Sequence, residues 1–225
     1  MNVHARLHIQ QWIALILILV VIPWYGVTPV AAQQSSSCTS VFNITICPVT
    51  SLADSGPGSL RQVVADAPSG ASIVFQGAAS QGTILLNSDI LIGTKSLSIG
   101  GNGTNTTVIQ RQNPAGGTIF RHIPVFPTPI TFSVSGMKLI GSLDVFGYSG
   151  TRFNGSNLLF TSFQPQSAAQ FAALKLSGSG QAVLTNVEFR SLTKYTLPSA
   201  SFGIIASGPT TMELVNCTFT DNQRG

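Results

Sequence analysis

Ionisable side chains are scarce in this chain. Eleven Lys and Arg and seven Asp and Glu occur among 225 residues, 8% in all, against about 25% in an ordinary soluble domain. The basic residues are scattered singly, whereas a nucleic-acid or charged-membrane footprint needs them clustered. Nucleic acid is therefore not an expected partner. Three cysteines and three histidines, of which His122 alone lies beyond residue 8, do not make a zinc site. The Gly-rich stretch GGNGTNTT (100–107) lacks the Lys-Ser/Thr ending of a phosphate loop and reads as a turn. Neither a metal nor a cofactor is expected.

The acids are equally dispersed. Asp54, Asp66, Asp89, Asp144, Glu188, Glu213 and Asp221 are all separated by more than two residues. Glycoside hydrolysis needs two carboxylates facing one bond. Glu188 and Glu213 approach one coil of separation, but their spacing of 25 falls short of the 29–30 repeat described below. Arg152 and Lys175 are candidate partners for a uronate sugar and more simply surface charges. His122 has no acidic neighbour in sequence and reads as a loop or core histidine.

The N-terminal segment is abundant in what the rest lacks. Trp12 to Ile22 is unbrokenly apolar, Val30-Ala31-Ala32 offers small residues for cleavage, and QQSSS follows. This is the layout of a secretory signal over residues 1–32. An uncleaved membrane anchor is the alternative, because Trp12 to Ala32 carries no charge. Cleavage after Ala32 removes Arg6 and leaves ten Lys/Arg against seven Asp/Glu, a net of +3. Residues 33–50 then form an N-terminal segment. In an exported chain its Cys38 and Cys47 read as a disulfide, with Cys217 as a buried free thiol. Five Asn-x-Ser/Thr sequons, at Asn43, Asn102, Asn105, Asn154 and Asn216, are open to glycosylation where exposed.

Residues 51–70 read as a capping loop and helix. DSGPG is a turn composition. Ser59 with Gln62 forms a capping box, Leu60, Val63, Val64 and Ala67 make one apolar stripe, and Pro68 and Gly70 end the helix. About nine residues of helix do not persist alone in water, so Leu60, Val63 and Val64 need an apolar seat. Residues 71–225 supply one. Short apolar runs such as SIVF, TILL, SLSI, TTVIQ, ITFSV and NLLF are too brief for helices and suit strands. SNLLFTS, TNVEFRS and VNCTFTD place Asn157, Asn186 and Asn216 at spacings of 29 and 30, each three residues before Phe160, Phe189 and Phe219. SGMKLIG is a degenerate copy, 21 residues earlier. Such periods with short strands indicate a solenoid. Its stacked coils predict an inward column of phenylalanines and an asparagine ladder near a turn. A helix preceding the first strand would cover the column's open end.

The phrase LADSGPGSLRQVVADAPSGASIVF, followed by GTILLNSDILIGTKSLSIGGNG, resembles the opening of exported right-handed parallel β-helix repeat proteins over residues 50–110. NCTFTDN is similar to the Phe-x-x-Asn repeats of polymorphic outer-membrane proteins, at Phe219 to Asn222. That family's Gly-Gly-Ala-Ile motif and C-terminal barrel are absent from this sequence. The resemblance implies an all-β, right-handed parallel β-helix with a short capping α-helix. It further implies a secreted or cell-surface protein of non-catalytic, adhesin-like or structural type that binds glycans or surface proteins. The pectin-degrading lyases and hydrolases share this architecture, so a polysaccharide-active enzyme is the alternative. TFTDNQRG ends on a coil, so the rest of a longer chain or a partner is expected to cover that end.

Overall fold

The structure is a computed structural model, and it describes residues 38–112, 117–122, 129–161, 172–192 and 203–222. The segment read as a secretory signal, residues 1–32, lies outside the described residues. The described residues begin with a hairpin, β1 (Thr39–Val41) and β2 (Ile44–Val49), followed by the helix α1 (Leu60–Asp66). The first turn of the solenoid is β3 (Ala71–Phe75), β4 (Gly82–Leu86) and β5 (Ile90–Leu91), and the second is β6 (Leu97–Gly100), β7 (Thr107–Arg111) and β8 (Thr118–His122). The third and fourth pair long with short strands: β9 (Thr131–Ile140) with β10 (Ser142–Gly147), and β11 (Arg152–Thr161) with β12 (Leu174–Gly178). The fifth is β13 (Gln181–Arg190) and β14 (Ile204–Ser207), and β15 (Thr211–Val215) and β16 (Thr218–Thr220) begin another. The fold is a parallel β-solenoid of about five turns.

Three faces run along it. The first stacks β2, β3, β6 and the leading halves of β9, β11 and β13, ending at β15. The second stacks β4, β7, the trailing halves of the long strands, and β16. The third is β5, β8, β10, β12 and β14. Every named pairing is parallel except β1 with β2. Each long strand turns from the first face to the second at one residue with left-handed backbone. These are Gly136 (φ 62°), Asn157 (φ 50°), Asn186 (φ 54°) and, between β15 and β16, Asn216 (φ 52°). Asparagine tolerates that region better than other residues with a Cβ, which explains the Asn spacing in the sequence.

Alternation fills the interior. Ile73, Ile99, Val134 and Leu184 point inward from the first face, and Phe160 and Phe189 from the second, all buried in one core. Gly155 takes an inward place because a Cβ there would approach Leu184 Cδ2 to 2.8 Å. Leu60, Val63 and Val64 of α1 are buried in the same core. The helix is two residues shorter than its sequence pattern. Its capping box is also half formed. Ser59 Oγ accepts from the Gln62 N–H (3.3 Å), but the Gln62 side chain donates forward to the Asp66 carboxylate (2.9 Å). The Ser59 N–H has no need of it, since it already donates to the Gly56 carbonyl (3.2 Å). At the other end Lys95 Nζ donates to the carbonyls of Val64, Ala65 and Ala67 at 2.8–3.0 Å. A cation at that terminus complements the helix dipole.

Candidate functional site: a hydroxyl-lined face beside an arginine–aspartate network

Alternation that sends apolar groups inward sends small polar groups outward on the first face. One row in register runs Ser72, Ser98, Ser133 and Asn154, then Val183 and Glu213. The next runs Gly100, Ser135, Ser156 and Thr185. A third comprises Thr131, Arg152, Gln181 and Thr211. Neighbouring rungs lie about 4.8 Å apart, so the face is a lattice of mostly neutral donors and acceptors, interrupted by Arg152, Val183 and Glu213. Two side-chain contacts brace it: Asn154 Nδ2 donates to Ser133 Oγ (3.2 Å), and Arg152 Nη2 to Gln181 Oε1 (3.0 Å). Hydroxyls and amides at fixed spacing suit a ligand that is itself polyhydroxylated or an extended neutral chain.

A second cluster ties the loop before α1 to the first two turns. Arg61 Nη2 donates to Asp54 Oδ1 (2.6 Å), and the same guanidinium reaches the carbonyls of Ser88 and Asp89. Asn87 Nδ2 donates to the other Asp54 oxygen (3.2 Å), and Arg121 pairs with Asp89 (3.0 Å). Asp54 therefore fastens the DSGPG loop. Arg111 lies beside this network, against Gly117 and Gly141, where a Cβ at Gly117 would meet its Nε at 2.0 Å. Burial lowers the Arg111 pKa, Asp89 opposes that, and Arg61 adds to it.

The remaining sequence candidates fall as follows. Cys38 and Cys47 form a disulfide. Phe160, Phe189 and Phe219 stack, with ring centroids 5.0 and 4.8 Å apart and planes within 7°. Phe160 and Phe189 are buried, whereas Phe219, on the last described rung, is half exposed. Asn186 Nδ2 donates to Asn157 Oδ1 (3.2 Å), and Asn216 at the same corner is exposed. Cys217 is a free thiol only partly buried, not fully so, because no described rung follows it. Glu188 and Glu213 lie on different faces: Glu188 pairs in register with Leu159 and Thr218, Glu213 with Val183. Lys175 neighbours Asp144 on the third face.

His122 points into the core and is fully buried. Neither ring nitrogen meets hydrogen-bond geometry among the described residues. Burial lowers its pKa, opposed by the nearby backbone of Phe146 and Gly93. Two features escaped the sequence reading. The outward serines carry no sequence signal beyond period-2 alternation. The Arg121–Asp89 pair joins residues that only the coiling brings together, and the Arg61–Asp54 pair depends on how the DSGPG loop folds back on the helix. No protein family matches this chain, and neither curated proteins nor solved structures give a match.

Proposed function

We propose that this chain is an exported or cell-surface parallel β-helix repeat protein of adhesin-like or structural type. It binds glycans or surface proteins along its first face and does no chemistry on them. The outward stack of Ser72, Ser98, Ser133 and Asn154 beside Ser135, Ser156 and Thr185 carries this reading. Neutral hydroxyls repeated along a rigid face offer many weak hydrogen bonds to an extended ligand, and multivalence multiplies them. The secretory pattern and the ADSGPGSLRQ resemblance support export and family membership. The alternative, a pectin-type lyase or hydrolase, requires an unengaged acid or base. Asp54, Asp89 and Glu188, the acids that pair with arginines among the described residues, already accept from Arg61, Asn87, Arg121 and Arg190.

Immobilised glycans, both neutral polysaccharides and pectins, test the reading against the Ser133→Arg/Ser156→Arg variant, whose substitutions point outward. Wild type should bind at least one glycan at least tenfold more tightly than the variant. Unsaturated uronate or reducing ends released by wild type from any of them would replace binding with catalysis. Equal binding by variant and wild type would remove the first face as the site.

A further inference from the structure

We propose that the disulfide-pinned hairpin at the start of the solenoid docks on a lipid surface, inserting Phe42 and the outward side of β1 and β2. Four large apolar side chains of the hairpin meet solvent, beside the exposed Thr39, Ser40 and Asn43. Val41, Ile44 and Ile46 share one side, because Val41 pairs with Ile44 and Thr39 with Ile46. Their relative exposures are 50%, 58% and 37%, and Phe42 at the tip is 95% exposed. The other side holds Ser40 and Thr45, whose hydroxyls bond each other at 2.9 Å, and Cys47, buried against the core.

The tip is the telling feature. Phe42 (φ 49°) and Asn43 (φ 64°) both have left-handed backbone, as tight two-residue hairpin turns require. Asparagine and glycine fit such places, and a bulky residue there is an outlier. Phe42 gains no packing in return, since its ring stands in solvent. A costly residue with no structural return points to a function.

Lipid fits better than protein on two counts. A stable protein interface takes about 20–30 residues and roughly 800 Å² from each partner, and the segment between Cys38 and Cys47 supplies far less. A bilayer demands no complementary area. Electrostatics agree, since no Asp, Glu, Lys or Arg occurs from Leu7 to Ala53. Nothing charged must be dehydrated when the hairpin sinks, and nothing selects anionic headgroups. The inference rests on the export reading, since export carries the hairpin past a lipid bilayer.

Amide hydrogen exchange on the full chain, with and without phosphatidylcholine vesicles, separates the possibilities. The expected result is at least tenfold slower exchange at residues 39–46 with vesicles, no change in β10 or β12, and loss of the effect in Phe42→Ser/Ile44→Ser. Slowing that persists in the double variant would assign it to the leader alone and overturn the inference. So would unchanged exchange, or slowing that follows protein concentration without vesicles, which would mark a second copy as the occupant. Export is read separately, from whether the protein leaves the cell, so failure of one reading leaves the other standing.

Discussion

Phe189→Ala removes the middle ring of a three-ring column. Phe189 is buried, stacks on Phe160 at 5.0 Å with planes 4° apart, and on Phe219 at 4.8 Å and 7°. Its rung is fixed in register on both sides, to β11 and to β16, so neighbouring backbone cannot collapse into the gap. The cost should sit in the usual range for burying a void of that size, about 3–5 kcal/mol, including about 0.5–1.5 kcal/mol for each lost stack. For a domain of this length that lowers the melting temperature by about 6–20 °C, at roughly 2–4 °C per kcal/mol. Phe219→Ala is the internal control. Phe219 has one ring partner among the described residues and is half exposed, so about 1–2 kcal/mol is expected from the burial it keeps. Thermal unfolding by circular dichroism, with urea titration beside it, reads both. Equal losses in the two variants would refute the column as a stabilising element, and so would a Phe189→Ala loss under about 1 kcal/mol.

Two further outcomes follow from the same geometry. His122 is buried with its pKa lowered by burial, so between the ordinary value of about 6.5 and its lowered native value the unfolded chain binds a proton that the folded chain refuses. Stability is full above pH 6.5 and falls as the medium is acidified through that window, by up to about 1.4 kcal/mol per pH unit. His122→Leu should flatten the fall below pH 6.5 in urea titrations, and an unchanged slope would refute the assignment. At the corner, Asn186→Val places a β-branched residue at φ 54° and should cost about 1–3 kcal/mol. Asn186→Gly keeps the corner and should melt within a few degrees of wild type, so a reversed order of the two would contradict the left-handed turn.

How much of this was legible depended on which physical force wrote each feature. Hydrophobic alternation is written locally, so SIVF, TILL, SLSI and TTVIQ gave their strands within a residue or two. The Asn-x-x-Phe spacing is also local. Each asparagine marks a corner that needs φ near 50°, and each phenylalanine three residues later meets its equivalent one turn along. β10 was missed because SLDVFG carries Asp144 between Leu143 and Val145, which looks like a break in an apolar run although the alternation is intact. The leading half of β11 was missed because its inward place at residue 155 is a glycine, and the hairpin because Thr39–Val41 is short and ends in an unfavourable Phe-Asn turn. The hydroxyl face was not legible at all. Ser72, Ser98, Ser133 and Asn154 stand 26, 35 and 21 residues apart, since the turns differ in loop length, and only strand register brings them into one row. The interior of a solenoid is therefore recorded in its repeat, while its binding surface is recorded in the loops that set how far the chain travels between rungs. Loop lengths are free to vary as long as register is kept, so a period strict enough to announce the fold carries little information about the face that meets a ligand.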